Sequence, residues 1–282
     1  MSEAVLHPGE ERSATPEDRS PAALTPAEVT ELLDVMMDPP NRFVRYPAAR
    51  ALYKIAGWLP FTPNQVTFFH GAIGQAAAAI VAFASPAWWP LTCVLFEIRA
   101  ILDCYDGVLA REKKIFSTYG RTLDELSDFF AFFSLNVAIV YRSDDKVRAV
   151  ALAILIAVTS ILASWGHDFL KRKFTSALKD GKDSVVVELR PRVAALRKNP
   201  TAMARWAHFF DASQVKILSR HSMKETLALA EDPSGAERTS DTDRILEAAR
   251  TPRVRRALRA MSIMAGDNVV AVGAAAIAFG HL

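Results

Sequence analysis

The chain has 282 residues, 51% of them hydrophobic, and a formal net charge of +3 from 34 Lys and Arg against 31 Asp and Glu. That near balance gives no footprint for nucleic acid, and two cysteines are too few for a disulfide framework. The mean hydropathy of +0.12 understates an uneven distribution, in which polar ends and a long polar middle dilute several apolar runs.

The first stretch, MSEAVLHPGEERSATPEDRS, lacks a basic segment leading into an apolar one, so no cleaved signal peptide is expected. Residues 1–24 read as disordered. TPAEVTELLDVMM (25–37) predicts a short helix with Thr25 as N-cap and Pro26 in its first turn, and Pro39-Pro40 ends this 1–41 region. Residues 42–60 predict a basic amphipathic helix with Trp58 and two tyrosines, suited to the cytoplasmic membrane surface. Thr62-Pro63 then opens a span over about 66–83, whose GAIGQAAAA run favours close helix packing in lipid. Ser85-Pro86 and Trp88-Trp89 mark the turn at the far interface. Further spans are predicted over about 90–107, 120–141 and 147–165, each near the ~20 residues needed to cross. RSDDK (142–146) is the tight turn before the last of these, and residues 61–167 form the transmembrane core. Residues 168–256 are dense in Lys and Arg and read as a basic cytoplasmic loop. Within it, 203–218 predicts another surface-lying amphipathic helix and 231–243 a flexible loop. A last span is predicted over about 257–279, within a 257–282 segment. The expected fold is all-α: a polytopic transmembrane bundle of five spans, preceded by a juxtamembrane amphipathic helix. The basic segments at 111–119 and 166–256 belong on the cytoplasmic side, the weakly charged turns at 84–90 and 142–146 outside.

The chemistry concentrates in DCYDGVLAREKKIFSTYGRTLDELSD, residues 103–128. On a helix, Asp103, Asp106, Gly107 and Ala110 fall at i, i+3, i+4 and i+7, one stripe; Gly120, Asp124 and Asp128 form a second stripe at i, i+4 and i+8. Apolar runs flank both, and acids at the ends of apolar segments are functional candidates. If the two helices fold back on each other, four carboxylates share one space, where they repel unless cations sit among them. Oxygen donors suit Mg²⁺ or Mn²⁺, and two such ions about 3.5–4 Å apart serve phosphoryl displacement. Gly107 and Ala110 remove bulk from the acidic stripe, and Arg111 offers a forked cation to a phosphate. A solvated, charged helix–turn–helix is the competing reading; the apolar flanks leave neither helix a long solvent face.

Asp103-x-x-Asp106-Gly107-x-x-Ala110-Arg111, followed by Gly120-x-x-x-Asp124-x-x-x-Asp128, resembles the signature of the CDP-alcohol phosphotransferase (CDP-alcohol phosphatidyltransferase) family. The signature is complete, and the wider resemblance covers roughly residues 42–170. It implies an integral membrane, multi-pass enzyme of phospholipid biosynthesis, with its active site facing the cytoplasm. A hydroxyl would attack a CDP-alcohol lipid substrate and CMP would leave. It implies Asp103, Asp106, Asp124 and Asp128 as ligands of two Mg²⁺ or Mn²⁺ ions, with Asp128 also the general base. It implies Thr62, Pro63, Asn64, Gln65, Gly107, Arg111 and Ser117 as contacts to the CDP moiety. The family fold has six spans, one more than predicted here, and admits a homodimer.

Other groups are read with an alternative beside each. Arg99, one turn from Asp103, either pairs with that carboxylate or touches an acceptor; Glu97 shares its span. Lys171 and Arg172, with His167, either bind an acceptor phosphate or anchor the helix by positive charge. His70 reads as a hydrogen-bonded packing residue rather than a ligand. Cys93 and Cys104, about 16 Å apart on one helix, read as packing residues. The activity expected is phosphatidyl transfer from CDP-diacylglycerol to a small polar alcohol. Transfer from CDP-choline or CDP-ethanolamine to diacylglycerol is the alternative; a non-catalytic paralogue, membrane scaffold or cation transporter is the alternative of another class.

Overall fold

The computed structural model describes residues 25–231 and 240–263, with Gly273 and Ala276 beyond them. The expected disorder of residues 1–24 and most of the last span lie outside the described residues. Among the described residues all regular structure is helical.

Helix α1 is Pro26–Val35, opened by a capping box in which Glu28 N donates to Thr25 Oγ1 and Glu28 Oε2 accepts from Thr25 N. A π-helical turn, Asn41–Arg45, leads into α2, Tyr46–Ala56. Arg45 is buried, and its Nε and Nη2 donate to the two oxygens of Glu97 at 3.0 and 2.9 Å. This forked pair ties the segment before α2 to α4.

Helix α3 is Pro63–Phe83, started by Thr62 and Pro63 in a second capping box with Gln65. Both α4 (Trp89–Lys113) and α5 (Gly120–Arg142) pack against it. The small residues of α3 make this possible. A Cβ at Gly74 would lie 2.6 Å from Ala131 Cβ, and one at Gly71 would lie 2.6 Å from Ser127 Oγ. Towards its far end, Ala77, Ala78 and Val81 bury against Trp89, Phe96, Ala131 and Leu135. Both cysteines remain thiols, Cys104 buried and Cys93 half-buried.

Helix α6, Lys146–Asp180, has 35 residues and is therefore about 52 Å long, well beyond a hydrocarbon core of about 30 Å. Its first half is apolar and exposed, with Val147, Ile154, Leu155 and Val158 half or more uncovered. Two described helices, α3 and α6, are long and apolar enough to cross a membrane. Helices α4 and α5 have the length but carry Glu97, Arg99, Asp103 and Asp106, or Asp124, Glu125 and Asp128, in their apolar stretches.

The 168–256 segment is not a loop. It is the second half of α6 followed by α7 (Ser184–Lys198), α8 (Ala202–Leu218), α9 (Met223–Glu231) and α10 (Ser240–Ala249); α11 (Pro252–Ile263) begins within it. The reason lies in local stop and start residues. Gly181, at φ +65°, closes α6; Asp183 accepts from Val185 N at 3.0 Å to open α7; Thr201 accepts from Ala204 N at 3.2 Å to open α8. Many of the charges are paired inside: Arg192 with Asp211 at 2.7 Å, and Lys173 with Asp183 at 3.1 Å and Asp241 at 2.7 Å. Leu32 and Val35 of α1 join Phe174, Leu178, Ala249 and Leu258 in one apolar cluster. Of the loop expected at 231–243, residues 232–239 lie outside the described residues and 240–243 begin α10.

Candidate active site

The signature acids lie on α4 and α5, and α3 forms a third wall that the spacing argument did not contain. Thr67 of α3 donates from Oγ1 to Asp106 Oδ2 at 2.6 Å. One turn on, His70 is fully buried, with Nε2 3.5 Å from Asp106 Oδ2 and 3.5 Å from Asp124 Oδ1. Ligand atoms of His70, Asp103 and Asp124 all lie within 4.8 Å of one another, so these three can hold a metal ion. Neither His70 Nε2 nor Asp124 Oδ1 has a hydrogen-bond partner among the described residues, although both atoms are buried. Buried polar atoms are normally satisfied, so a pair of orphans on facing helices fits a site built for a cation. His70, expected as a packing residue, thus belongs to the centre.

Arg99 reaches across to α5. Its Nη2 pairs with Asp128 Oδ1. Asp128 is the most open of three signature acids, with a side-chain exposure of 41% against 36% for Asp124 and 12% for Asp106.

The residues expected to meet CDP form a rim beside the acids. The Arg111 guanidinium lies over Gly107, with Nη1 3.4 Å from where a Cβ would stand. A Cβ at Gly120 would lie 3.4 Å from Ser117 Cβ and 3.7 Å from Asn64 Oδ1, so the start of α5, the turn before it and the start of α3 converge. Arg111 and Ser117 are exposed. Thr62 and Gln65 are engaged in the cap of α3, and Pro63 is its first residue. Lys113 Nζ donates to Leu59 O at 2.6 Å, holding the approach to α3 beside the end of α4. The 111–119 turn keeps two helical residues after Arg111, then breaks at Lys114 in a left-handed conformation (φ 56°).

Arg172 is not an open acceptor contact. Its three nitrogens donate to Asp168 at 2.9 Å, Glu188 at 3.2 Å and Gln214 at 2.6 Å. Lys171, half-buried, sits beside it on α6. Arg121, a residue the sequence did not single out, joins this network from α5. It meets Glu188 at 2.7 Å, Asp211 at 2.7 Å and Glu125 at 3.5 Å. It stands one turn before Asp124, so the paired charges of α7 and α8 hold the helix that carries two of the acids.

With this geometry in place, comparison with known proteins identifies the core. The profile of the CDP-alcohol phosphatidyltransferase family matches residues 61–187. The core of this chain, residues 61–187, belongs to that family. The matched stretch holds α3, α4, α5, α6 and the start of α7, hence every signature acid of the transferase core and His70. Among curated proteins the chain is similar to the ceramide phosphoethanolamine synthase of Drosophila melanogaster, 29% identical over 38% of this chain and 30% of the relative. It is also similar to the bifunctional IPC transferase and DIPP synthase of Aquifex aeolicus, 27% identical over 46% of this chain and 28% of the relative. The phosphatidylinositol phosphate synthase of Mycobacterium marinum is 28% identical over 43% of this chain and 50% of the relative. The matches therefore span half or less of these relatives' lengths. No solved structure matches the chain. The family match and the two long apolar helices are consistent with a membrane-associated helical protein.

Proposed function

We propose that this chain transfers a phosphatidyl group from CDP-diacylglycerol to a small polar alcohol and releases CMP. The observation that carries the reading is the convergence of Asp106, Asp124 and Asp128 with buried, unpartnered polar atoms beside the Gly107–Arg111 and Asn64–Ser117–Gly120 rim. Asp103, Asp106, Asp124 and Asp128 would hold two Mg²⁺ or Mn²⁺ ions. When bound, such ions neutralise a diphosphate and stabilise the departing phosphate. Arg111 offers a bidentate cation to the same diphosphate, and the absent side chain of Gly107 lets it approach α4. Thr62, Pro63, Asn64, Gln65 and Ser117 line the nucleotide end. Asp128, the most open of the three acids compared, takes the proton from the acceptor hydroxyl, which first requires its Arg99 pairing to loosen. Arg99 then remains beside the acceptor as a cation.

A polyol phosphate acceptor is favoured by the likeness to a phosphatidylinositol phosphate synthase. The likeness to a ceramide phosphoethanolamine synthase favours a second reading, in which the CDP-alcohol brings the polar headgroup and a lipid hydroxyl attacks. In either case the core of residues 61–167 would lie in the bilayer, with α3, α4, α5 and the first half of α6 as spans. The basic ends of α4 and α6 support a site at the cytoplasmic face. Exposed Ile55 and Trp58 suit the 42–60 segment to the membrane surface, and the uncovered apolar residues of α5 and α6 suit lipid or a second copy in a homodimer.

The test is CMP release by purified protein in lipid–detergent micelles with Mg²⁺. CDP-diacylglycerol is offered with glycerol 3-phosphate, inositol, inositol phosphate or serine, and CDP-choline or CDP-ethanolamine with diacylglycerol. Acceptor-dependent CMP from one pairing names the branch. The Asp128→Asn protein should fold and lose at least about a hundredfold in rate; full turnover by that variant removes Asp128 as the base. A folded wild type that neither binds CDP nucleotides nor releases CMP returns the chain to a non-catalytic role.

A further inference from the structure

His70 is a group at the centre that the acidic signature does not explain. Its ring is fully buried, and Nε2 faces one oxygen of Asp106 and one of Asp124, each 3.5 Å away, without a hydrogen bond to either. The other ring nitrogen, Nδ1, lies 3.5 Å from Ser127 Oγ, and that hydroxyl donates to Thr67 O at 3.4 Å. With the hydroxyl proton committed to the carbonyl, Ser127 Oγ is left to accept from Nδ1–H. The ring then carries its proton on Nδ1 and presents a bare lone pair at Nε2. Space for this relay comes from Gly71, where a Cβ would stand 2.6 Å from Ser127 Oγ.

A lone pair buried against two carboxylate oxygens is repulsive on its own. Donor atoms 3.5 Å apart are too distant for a good hydrogen bond, but they suit two ligands sharing one ion at about 2 Å from each. We infer that His70 Nε2 is a nitrogen ligand to a divalent ion held with Asp103 and Asp124, and that Ser127 and Thr67 fix the ring in its ligating tautomer. The inference deepens the transferase reading, on which it rests for the purpose of the ion. Its consequence is metal preference. Imidazole raises affinity for first-row transition ions relative to Mg²⁺, which favours an all-oxygen set, and the proton on Nδ1 held by an outer partner is the usual support for a ligating histidine.

The experiment is pulsed EPR on the full-length protein loaded with Mn²⁺, reading ¹⁴N coupling from a directly bound imidazole. Wild type should show the coupling. His70→Gln should lose it and bind Mn²⁺ at least about tenfold more weakly, with a smaller change for Mg²⁺ in competition. If His70→Gln does not fold, persistence of the coupling in a variant with His7, His167, His208, His221 and His281 all changed to Gln assigns it to His70. Mn²⁺ bound to wild type without nitrogen coupling overturns the inference, as does coupling that survives His70→Gln. Absence of Mn²⁺ binding overturns it too. CMP release in the same preparations separates the two ideas: turnover without nitrogen coupling leaves the transferase reading standing and removes His70 alone.

Discussion

Asp211 is the joint between the charged helices of the C-terminal half and the helix that carries Asp124 and Asp128. Its Oδ1 accepts from Arg121 Nη2 and from Arg192 Nη1, both at 2.7 Å, and the carboxylate is 9% exposed. Asp211→Ala leaves Arg192, 8% exposed, with Glu188 at 3.7 Å, and leaves Arg121 with Glu188 at 2.7 Å. Removing one partner of a buried pair costs about 3–5 kcal/mol. Because Glu188 remains for both guanidiniums, the expected cost is at the lower end, about 3 kcal/mol, or roughly 150-fold in the population with α7 and α8 undocked from α5. Limited trypsin digestion reads this directly, since cleavage after Lys198, at the turn between α7 and α8, tracks the opened population when reclosing is fast. Glu231→Ala is the control: it breaks the Arg197–Glu231 pair, whose side chains are 68% and 48% exposed, and exposed pairs contribute about 0–1 kcal/mol. Digestion of Asp211→Ala no faster than that of Glu231→Ala would refute the argument. Strict additivity of Arg121→Gln and Asp211→Ala would refute it as well, because groups in one buried network couple.

Gly74→Val should lower the thermal midpoint by overpacking, at a cost of about 1–3 kcal/mol, and Ala131→Gly should recover part of it, since Ala131 Cβ is the atom met at 2.6 Å; no recovery in the double variant would show that the clash lies elsewhere. Thorough EDTA treatment should abolish CMP release, and Mg²⁺ or Mn²⁺ should restore it; full activity in metal-stripped protein would remove the acidic metal centre. Hydrogen bonds from the Thr25 backbone and hydroxyl hold the Glu28 carboxyl below its ordinary value of 4.5. The cap of α1 is then at full strength above that value and is lost as pH falls through the lower folded value. Amide exchange in the first turn of α1, corrected for intrinsic rate, should rise on acidification in wild type and stay flat in Glu28→Gln.

The acid stripes were legible because helical spacing is a local property: Asp103, Asp106 and Gly107 share a face wherever the helix goes. The third wall was not, since which face of α3 meets α5 depends on the register of Gly71 and Gly74 against Ser127 and Ala131. His70 therefore looked like a packing residue, although Gly71 and Gly74 signalled that something comes close. Arg99 was placed near Asp103 by the same local reasoning, and the structure pairs it with Asp128 because α4 and α5 share a wall. The helix expected over 203–218 is α8, but the other helices after residue 168 were missed for another reason. Charge density was read as solvation, while the stop and start residues Gly181, Asp183 and Thr201 were present and pointed to helices. Charges such as Arg192 and Asp211 look like surface in a sequence and become interior only through each other.

The same acids explain why α4 and α5 read poorly as spans. Each carboxylate that builds the centre takes its helix further from the apolar composition of a membrane helix, so on the proposed topology insertion would depend on neighbours that cover the charge. Asp106 is covered by Thr67 and His70, Glu97 by Arg45, and Asp128 by Arg99. One of these covers, Arg45, comes from the segment before the first long helix, and the others come from α3 and α4. On this account, α3 is both packing partner and electrostatic lining for the reactive helices. The paired charges of α7 and α8 serve the first turn of α5 in the same way, through Arg121. On the proposed function, the polar second half of the chain would have a mechanical part in the chemistry, because it fixes the turn of α5 from which Asp124 projects.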